Sequence, residues 1–173
     1  MSRNLKIVVG GPFSAGKTRF IKTISEIDVV TTERKITRRI EGISKRTTTV
    51  AMDYGRVTLG EDVLHLHGTP GQARFDFMWE ILMKEMDGFV LLVDSTDLET
   101  MGEARELIAL FSGGHPVPYM VAANKQDLPA AVKLEKLRRA LEVGPNILIM
   151  PCVSSRLSRY PCMPRMVESL TWK

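Results

Sequence analysis

Eight consecutive residues, Gly11-Pro12-Phe13-Ser14-Ala15-Gly16-Lys17-Thr18, constrain this chain more than any other feature. They fit G-x-x-x-x-G-K-[ST] without a mismatch, the Walker A loop whose backbone amides cradle phosphate oxygens. In such a loop the lysine reaches the outer phosphates and the last hydroxyl can ligate magnesium. It works only between a buried strand and the start of a helix, whose positive end faces the anion. Both flanks supply that context. Leu5 to Val9 is an apolar, β-branched run stopped by Gly10-Gly11-Pro12, and Phe20, Ile21, Ile24 and Ile27 recur at helical spacing after Lys17. The phosphate-binding set read from this loop is Gly11, Phe13, Ser14, Ala15, Gly16, Lys17 and Thr18, with Arg19 opening the helix.

The rest of the chain reads as strands alternating with helices. Val50 to Leu59 and Val63 to His67 flank Gly60-Glu61-Asp62 and predict a hairpin. Gly88 to Val93, Tyr119 to Ala123 and Ile147 to Met150 are continuous apolar runs, as strands covered on both faces require. Leu98, Met101, Ala104, Leu107, Ile108 and Phe111 share one helical face, as do Ala131, Leu134, Leu137 and Leu141 before Gly144-Pro145. This pattern predicts a three-layer α/β fold: a mixed, mostly parallel six-stranded sheet with helices on both faces. At 173 residues, with no linker or repeat, a single domain spanning 1–173 is expected.

Between the first helix and the hairpin, Asp28 to Val50 shows no clean period and reads as a long surface loop. It holds Arg34, Lys35, Arg38, Arg39, Lys45 and Arg46 against Asp28, Glu33 and Glu41, so most of the chain's net charge of +4 is local to it. A solvated basic face is the first reading, an acidic partner or lipid the second; without interleaved aromatics, nucleic acid is not expected. No apolar run approaches the roughly 18 residues of a membrane span. The first residues show no signal-peptide core and no glycine at position 2, and the last four are no prenylation box. A cytoplasmic protein without an intrinsic membrane anchor is expected. Cys152 and Cys162 lack the spacing of a disulfide framework or zinc site. His65, His67 and His115 do not cluster as metal ligands, and Met78, Ile81, Leu82 and Met86 with Trp79 beside them read as a core stripe.

A second motif narrows the ligand. Asn124-Lys125-Gln126-Asp127 ends the fifth predicted strand, at the sheet edge where ligands sit in open α/β folds. Asp127 can accept hydrogen bonds from N1 and N2 of guanine, Lys125 can lay its stem along the base, and Asn124 can tie the loop together. Adenine would leave that carboxylate unpaired, which can discriminate by roughly 10⁴ or more.

With both motifs in this order, the chain resembles the Ras-like small GTPases to about residue 155. It is most similar to a bacterial branch, the conservon-type and gliding-polarity GTPases, in Thr47-Thr48-Thr49-Val50-Ala51-Met52-Asp53-Tyr54-Gly55 and Gly68-Thr69-Pro70-Gly71-Gln72. The resemblance implies a GTP/GDP cycle with Mg2+, GTP hydrolysis, and signalling through two switch segments; the alternative, motivated by Gly68 and Phe13, is a nucleotide-binding scaffold with negligible hydrolysis. It makes the basic loop switch I, with Thr49 binding magnesium and sensing the γ-phosphate, and Thr48 as the second choice. Gly71 would meet the γ-phosphate, Gln72 would orient the attacking water, and Lys17 would assist. Ser154 or Ser155 would stand at the base. The family partner so implied is a roadblock-domain regulator or effector.

Three departures stand out. Where the family carries the aspartate of Asp-x-x-Gly, this chain has Gly68, and either Asp53 on the neighbouring strand or the water network itself is the expected replacement near magnesium. Phe13 and Ser14 occupy positions that many relatives fill with glycine, which predicts slow intrinsic hydrolysis. Pro161 and Pro164 leave only a short helix, Arg165 to Leu170, near the end.

Overall fold

A computed structural model describes residues 2–36, 48–70, 76–113 and 116–155. Its first strand, β1 (Asn4–Gly10), feeds the glycine-rich loop and helix α1 (Lys17–Ile24). Strands β2 (Val30–Ile36), β3 (Thr48–Leu59) and β4 (Asp62–Gly68) follow, then helix α2 (Asp76–Met83) and strand β5 (Gly88–Asp94). The chain continues through α3 (Met101–Gly113), β6 (Tyr119–Asn124), α4 (Leu134–Leu141) and β7 (Leu148–Pro151). The tail after 155, with its expected short helix, lies outside the described residues, as do the basic segment 37–47 and His115.

The sheet has seven strands in the order β2-β3-β4-β1-β5-β6-β7, not the six expected. The additional strand, β2, lies in the segment read as a loop and pairs antiparallel with β3 from Val30↔Tyr54 to Ile36↔Thr48. As an edge strand it has no periodic apolar face to betray it; its Val30 is 53% exposed. The expected mixture of directions holds. β3 and β4 form an antiparallel hairpin turning at Gly60, whose φ of +62° suits glycine, while β4, β1, β5, β6 and β7 run parallel.

Burial follows the apolar pattern. Every residue of β5 is buried, as befits a strand covered on both faces. On one face Ile7, Val9, Leu64, Leu66 and Leu92 meet Phe20 and Ile21 of α1. On the other, Val8, Phe89, Leu91 and Val121 meet Leu107 and Phe111 of α3, Leu137 of α4, and Trp79 and Leu82 of α2. The methionine-rich stripe is therefore rotated from its sequence reading: Trp79 packs against Phe111 with ring centroids 6.3 Å apart, while Ile81 is 62% exposed. His65 and His67 are sheet residues beside Tyr54, whose hydroxyl lies 2.7 Å from His65 Nδ1.

This strand order places the ligand site. From β1 the chain builds outward to β4, β3 and β2 on one side and to β5, β6 and β7 on the other, so the topological switch lies at the carboxyl end of β1. The glycine-rich loop leaves at that point.

Candidate nucleotide-binding site

The loop after β1 is held in a conformation that only particular residues tolerate. Gly11 has φ +152°, and a Cβ there would lie 2.1 Å from the Leu92 carbonyl oxygen. Gly16 has φ +99°, and a Cβ there would lie 2.5 Å from Asn124 Nδ2. Ser14 is left-handed too, at φ 62°. These positive angles curl the backbone into the concave nest that binds anions, at the N-terminus of α1. Ala15 is buried beneath it, and Phe13 projects from it with 64% of its surface exposed.

Lys17 lies over this loop, 8% exposed. Its Nζ donates to the Gly11 and Pro12 carbonyl oxygens at 2.6 and 2.8 Å. Burial lowers its pKa to about 8, against upward pulls from Glu103 and Asp53. The ammonium is thus held by neutral acceptors, so an arriving phosphate would stabilise its charged form.

Beside the loop stands Asp53, 6% exposed. Its Oδ2 accepts a hydrogen bond from the Thr18 hydroxyl at 2.5 Å and its Oδ1 one from the Thr31 hydroxyl at 3.0 Å. Asp53 is directly opposite Gly68 across the β3–β4 ladder. A Cβ on Gly68 would lie 2.8 Å from Ile21 Cδ1 and 3.2 Å from Asp53 Cβ. The glycine at the position of the family aspartate therefore leaves the space that the Asp53 side chain occupies. Thr69 follows with its hydroxyl buried and without a hydrogen-bond partner among the described residues.

At the far side, Asn124 stitches three segments together. Its Nδ2 donates to the Ala15 carbonyl at 2.8 Å and to Ser154 Oγ at 3.1 Å, and its Oδ1 accepts from the Ser154 amide at 2.9 Å. The Thr23 hydroxyl of α1 donates to the Ser154 carbonyl at 2.6 Å. Ser154 is committed to this framework, whereas Ser155 is exposed. Lys125, left-handed at φ 62°, forms an ion pair with Asp94, and Asp127 stands exposed one turn further. Burial pushes the Asp94 carboxyl upward, but hydrogen bonds from Lys125 and Thr96 outweigh it and hold the group below its ordinary range.

Asp94 is drawn into the candidate site by its ion pair with Lys125, a contact that the motifs alone do not reveal; the signal is an acid ending a fully buried strand, opposite Asn124 in the β5–β6 register. Thr31 is drawn in likewise, by its hydrogen bond to Asp53. Among the residues expected at the site, Lys17, Thr18, Asp53, Asn124, Lys125 and Asp127 lie along one carboxyl edge. Thr49 lies in β3 opposite Lys35, four residues before Asp53. Gly71 and Gln72 lie outside the described residues. Among the described residues no group of three or more His, Cys, Asp or Glu is gathered as a metal cage.

Fold and site together define a P-loop nucleotide-binding protein of the Ras-like class. The chain matches the ADP-ribosylation factor family model over residues 1–158 and belongs to that family. It is 32% identical over 152 residues to the mutual gliding-motility protein MglA of Myxococcus xanthus, covering 80% of this chain and 75% of that protein. It is 27% identical over 172 residues to human ADP-ribosylation factor-related protein 1, covering 96% and 77%. An uncharacterized protein of Methanocaldococcus jannaschii is 30% identical over 124 residues, covering 72% and 71%. The family consists of small GTP-binding proteins, and one relative is bacterial, in keeping with the resemblance read from the sequence. No helix among the described residues is long and apolar enough to cross a membrane.

Proposed function

We propose that this protein is a GTP-binding switch that hydrolyses GTP slowly to GDP and signals to protein partners in the cytoplasm through two segments flanking β3 and β4. The observation that carries the reading is the Asn124 stitch: one buried amide joins the phosphate loop, the Asn-Lys-Gln-Asp turn and the loop after β7. Such a joint fixes the distance between a phosphate end and a base end, which a guanine nucleotide requires and a lone anion does not.

In this reading the loop amides and Lys17 hold the phosphates, Asp127 reads the guanine edge, and Lys125, anchored by Asp94, lies along the base. Exposed Ser155 is the better placed of the two serines to meet the base, since Ser154 serves Asn124. Magnesium fits the Thr18 hydroxyl and the Asp53 carboxylate, because that ion takes one or two protein oxygens and completes its shell with phosphate and water. When bound it would neutralise charge on the phosphates. Thr18 donating its proton to Asp53 keeps its oxygen lone pairs free for the ion. Thr49, Gly71 and Gln72 take their roles from the family resemblance, as does a roadblock-domain regulator or effector.

The test begins with which nucleotide purified protein retains, and its affinities for GDP, GTP and ATP in magnesium and in EDTA. Tight guanine nucleotide binding with weak ATP binding is expected; the reverse overturns the reading. Single-turnover phosphate release then compares wild type with Gln72→Leu and Phe13→Gly. A slower Leu variant and a faster Gly variant support a slow GTPase; three equal rates point to a scaffold that holds nucleotide without turning it over.

A further inference from the structure

The Asp53 carboxylate accepts a hydroxyl hydrogen bond at each of its two oxygens. One hydroxyl belongs to Thr18, which closes the phosphate loop; the other belongs to Thr31, on the edge strand β2. Thr31, Asp53 and Gly68 are mutual register partners, so they form one row across β2, β3 and β4. Cross-strand neighbours in such a row share a face with Cβ atoms about 5 Å apart. Gly68 contributes only space, so its side of the row offers Asp53 no side-chain hydrogen bond. Among the described residues, Thr31 is thus the group that fixes the second carboxylate oxygen and, with it, the rotation of the carboxylate toward Thr18.

We infer that Thr31 is a positioning residue for the metal site, and that through Asp53 it couples the docking of edge strand β2 to magnesium affinity. The inference rests on the assignment of Thr18 and Asp53 to magnesium. A carboxylate held by one hydrogen bond can turn about its last torsion, whereas one held at both oxygens cannot. The cost of fixing that torsion is met in the folded chain rather than when the ion arrives. The coupling runs both ways, because a group that improves ion binding is itself held more firmly once the ion is bound. Strand β2, a terminal strand in the sheet order and the one that carries Glu33, Arg34 and Lys35, becomes a lever on the nucleotide site.

Thr31→Val removes the hydroxyl while keeping a β-branched residue suited to a strand. The experiment is release of fluorescent GDP from the full chain, followed across a magnesium titration, with Thr31→Ser as the conservative variant. Thr31→Val is expected to raise the magnesium concentration at the midpoint by roughly 3- to 10-fold, the scale of one partly exposed hydrogen bond to a charged acceptor. GDP affinity in EDTA should stay within about twofold, and Thr31→Ser should return the midpoint toward wild type. A role confined to strand stability would lower both affinities and would not be rescued selectively.

Amide exchange gives the reciprocal readout: magnesium added to the GDP complex should slow exchange in residues 30–36 of wild type and leave it unchanged in Thr31→Val. A wild-type midpoint in Thr31→Val, or a shift that Thr31→Ser does not reverse, overturns the inference. Failure of the wild-type chain to bind GDP would instead overturn the function on which it rests.

Discussion

Lys17 turns the geometry of the phosphate loop into a measurable proton count. In the folded chain its ammonium is buried on two carbonyl oxygens, and its pKa is lowered from 10.5 to about 8. A bound diphosphate supplies the missing counter-charge and carries the pKa back toward its ordinary range or above it. The bound state therefore holds the proton more tightly than the free state, so binding takes protons up. The favourable term is complete below pH 8 and is lost as pH rises through 8 toward the bound-state value. At pH 8 half of the free molecules must gain a proton, giving an uptake of ~0.5 proton per GDP bound, against ~0.1 at pH 7. Between pH 7 and 9 the lysine alone should weaken binding about tenfold, or ~1.4 kcal/mol. Calorimetry of nucleotide-free protein with magnesium and GDP at pH 8, in two buffers of different ionisation enthalpy, counts the protons directly. Tight binding with an uptake below ~0.1 proton at pH 8 would refute the argument that burial among neutral acceptors lowers the lysine pKa.

Gly68→Asp should lower stability by ~2–4 kcal/mol in thermal melts, from crowding of Ile21 and a second carboxylate beside Asp53. Adding Asp53→Asn should recover the charge part; a single variant as stable as wild type would show that Gly68 is not there to make room. Asn124→Ala removes a buried amide with three hydrogen bonds and should cost ~2–4 kcal/mol in denaturant unfolding, with a loss under ~1 kcal/mol arguing against the stitch. Asp94→Asn takes the charge from the Lys125 anchor and should weaken GDP and GTP equally, by roughly 5- to 10-fold. Unequal losses would mean that Asp94 acts at the phosphates rather than at the base.

How much of this was legible depended on whether the cause was local. The loop from Gly11 to Thr18 announces itself because its conformation, its chemistry and its flanking elements are all encoded within about twenty residues. β5 and β6 are legible because strands covered on both faces must be apolar throughout. β2 was not, since an edge strand satisfies its backbone from one neighbour and needs no buried face; Val30-Thr31-Thr32 carried β propensity, but hydrophobic period could not show it. The end of α4 falls at Glu142, left-handed at φ 56°, rather than waiting for Gly144, a choice made by the main chain and invisible to a glycine rule. The Asp94–Lys125 pair joins residues 31 positions apart, and the opposition of Asp53 and Gly68 requires the register of a hairpin. Resemblance pointed to Asp53; only the register gives the physical reason.

If Asp53 and Thr49 both serve the proposed magnesium, that register limits how such a switch could work. Asp53 and Thr49 are both on β3, four residues apart, which in an extended strand is about 13 Å. With Asp53 beside Thr18, an extended β3 holds Thr49 too far along the sheet to reach the same ion. Sliding the whole strand to bring Thr49 closer would carry Asp53 away by the same distance. Both can serve one metal only if residues 49–52 give up their pairing with Lys35, Arg34, Glu33 and Thr32 and turn back toward the loop. Thr31, pairing with Asp53 itself, is the first position of β2 that this turn would leave in place. On that assignment, the hydrogen bond from Thr31 to Asp53 lies at the boundary between the part of β3 that would stay and the part that would move.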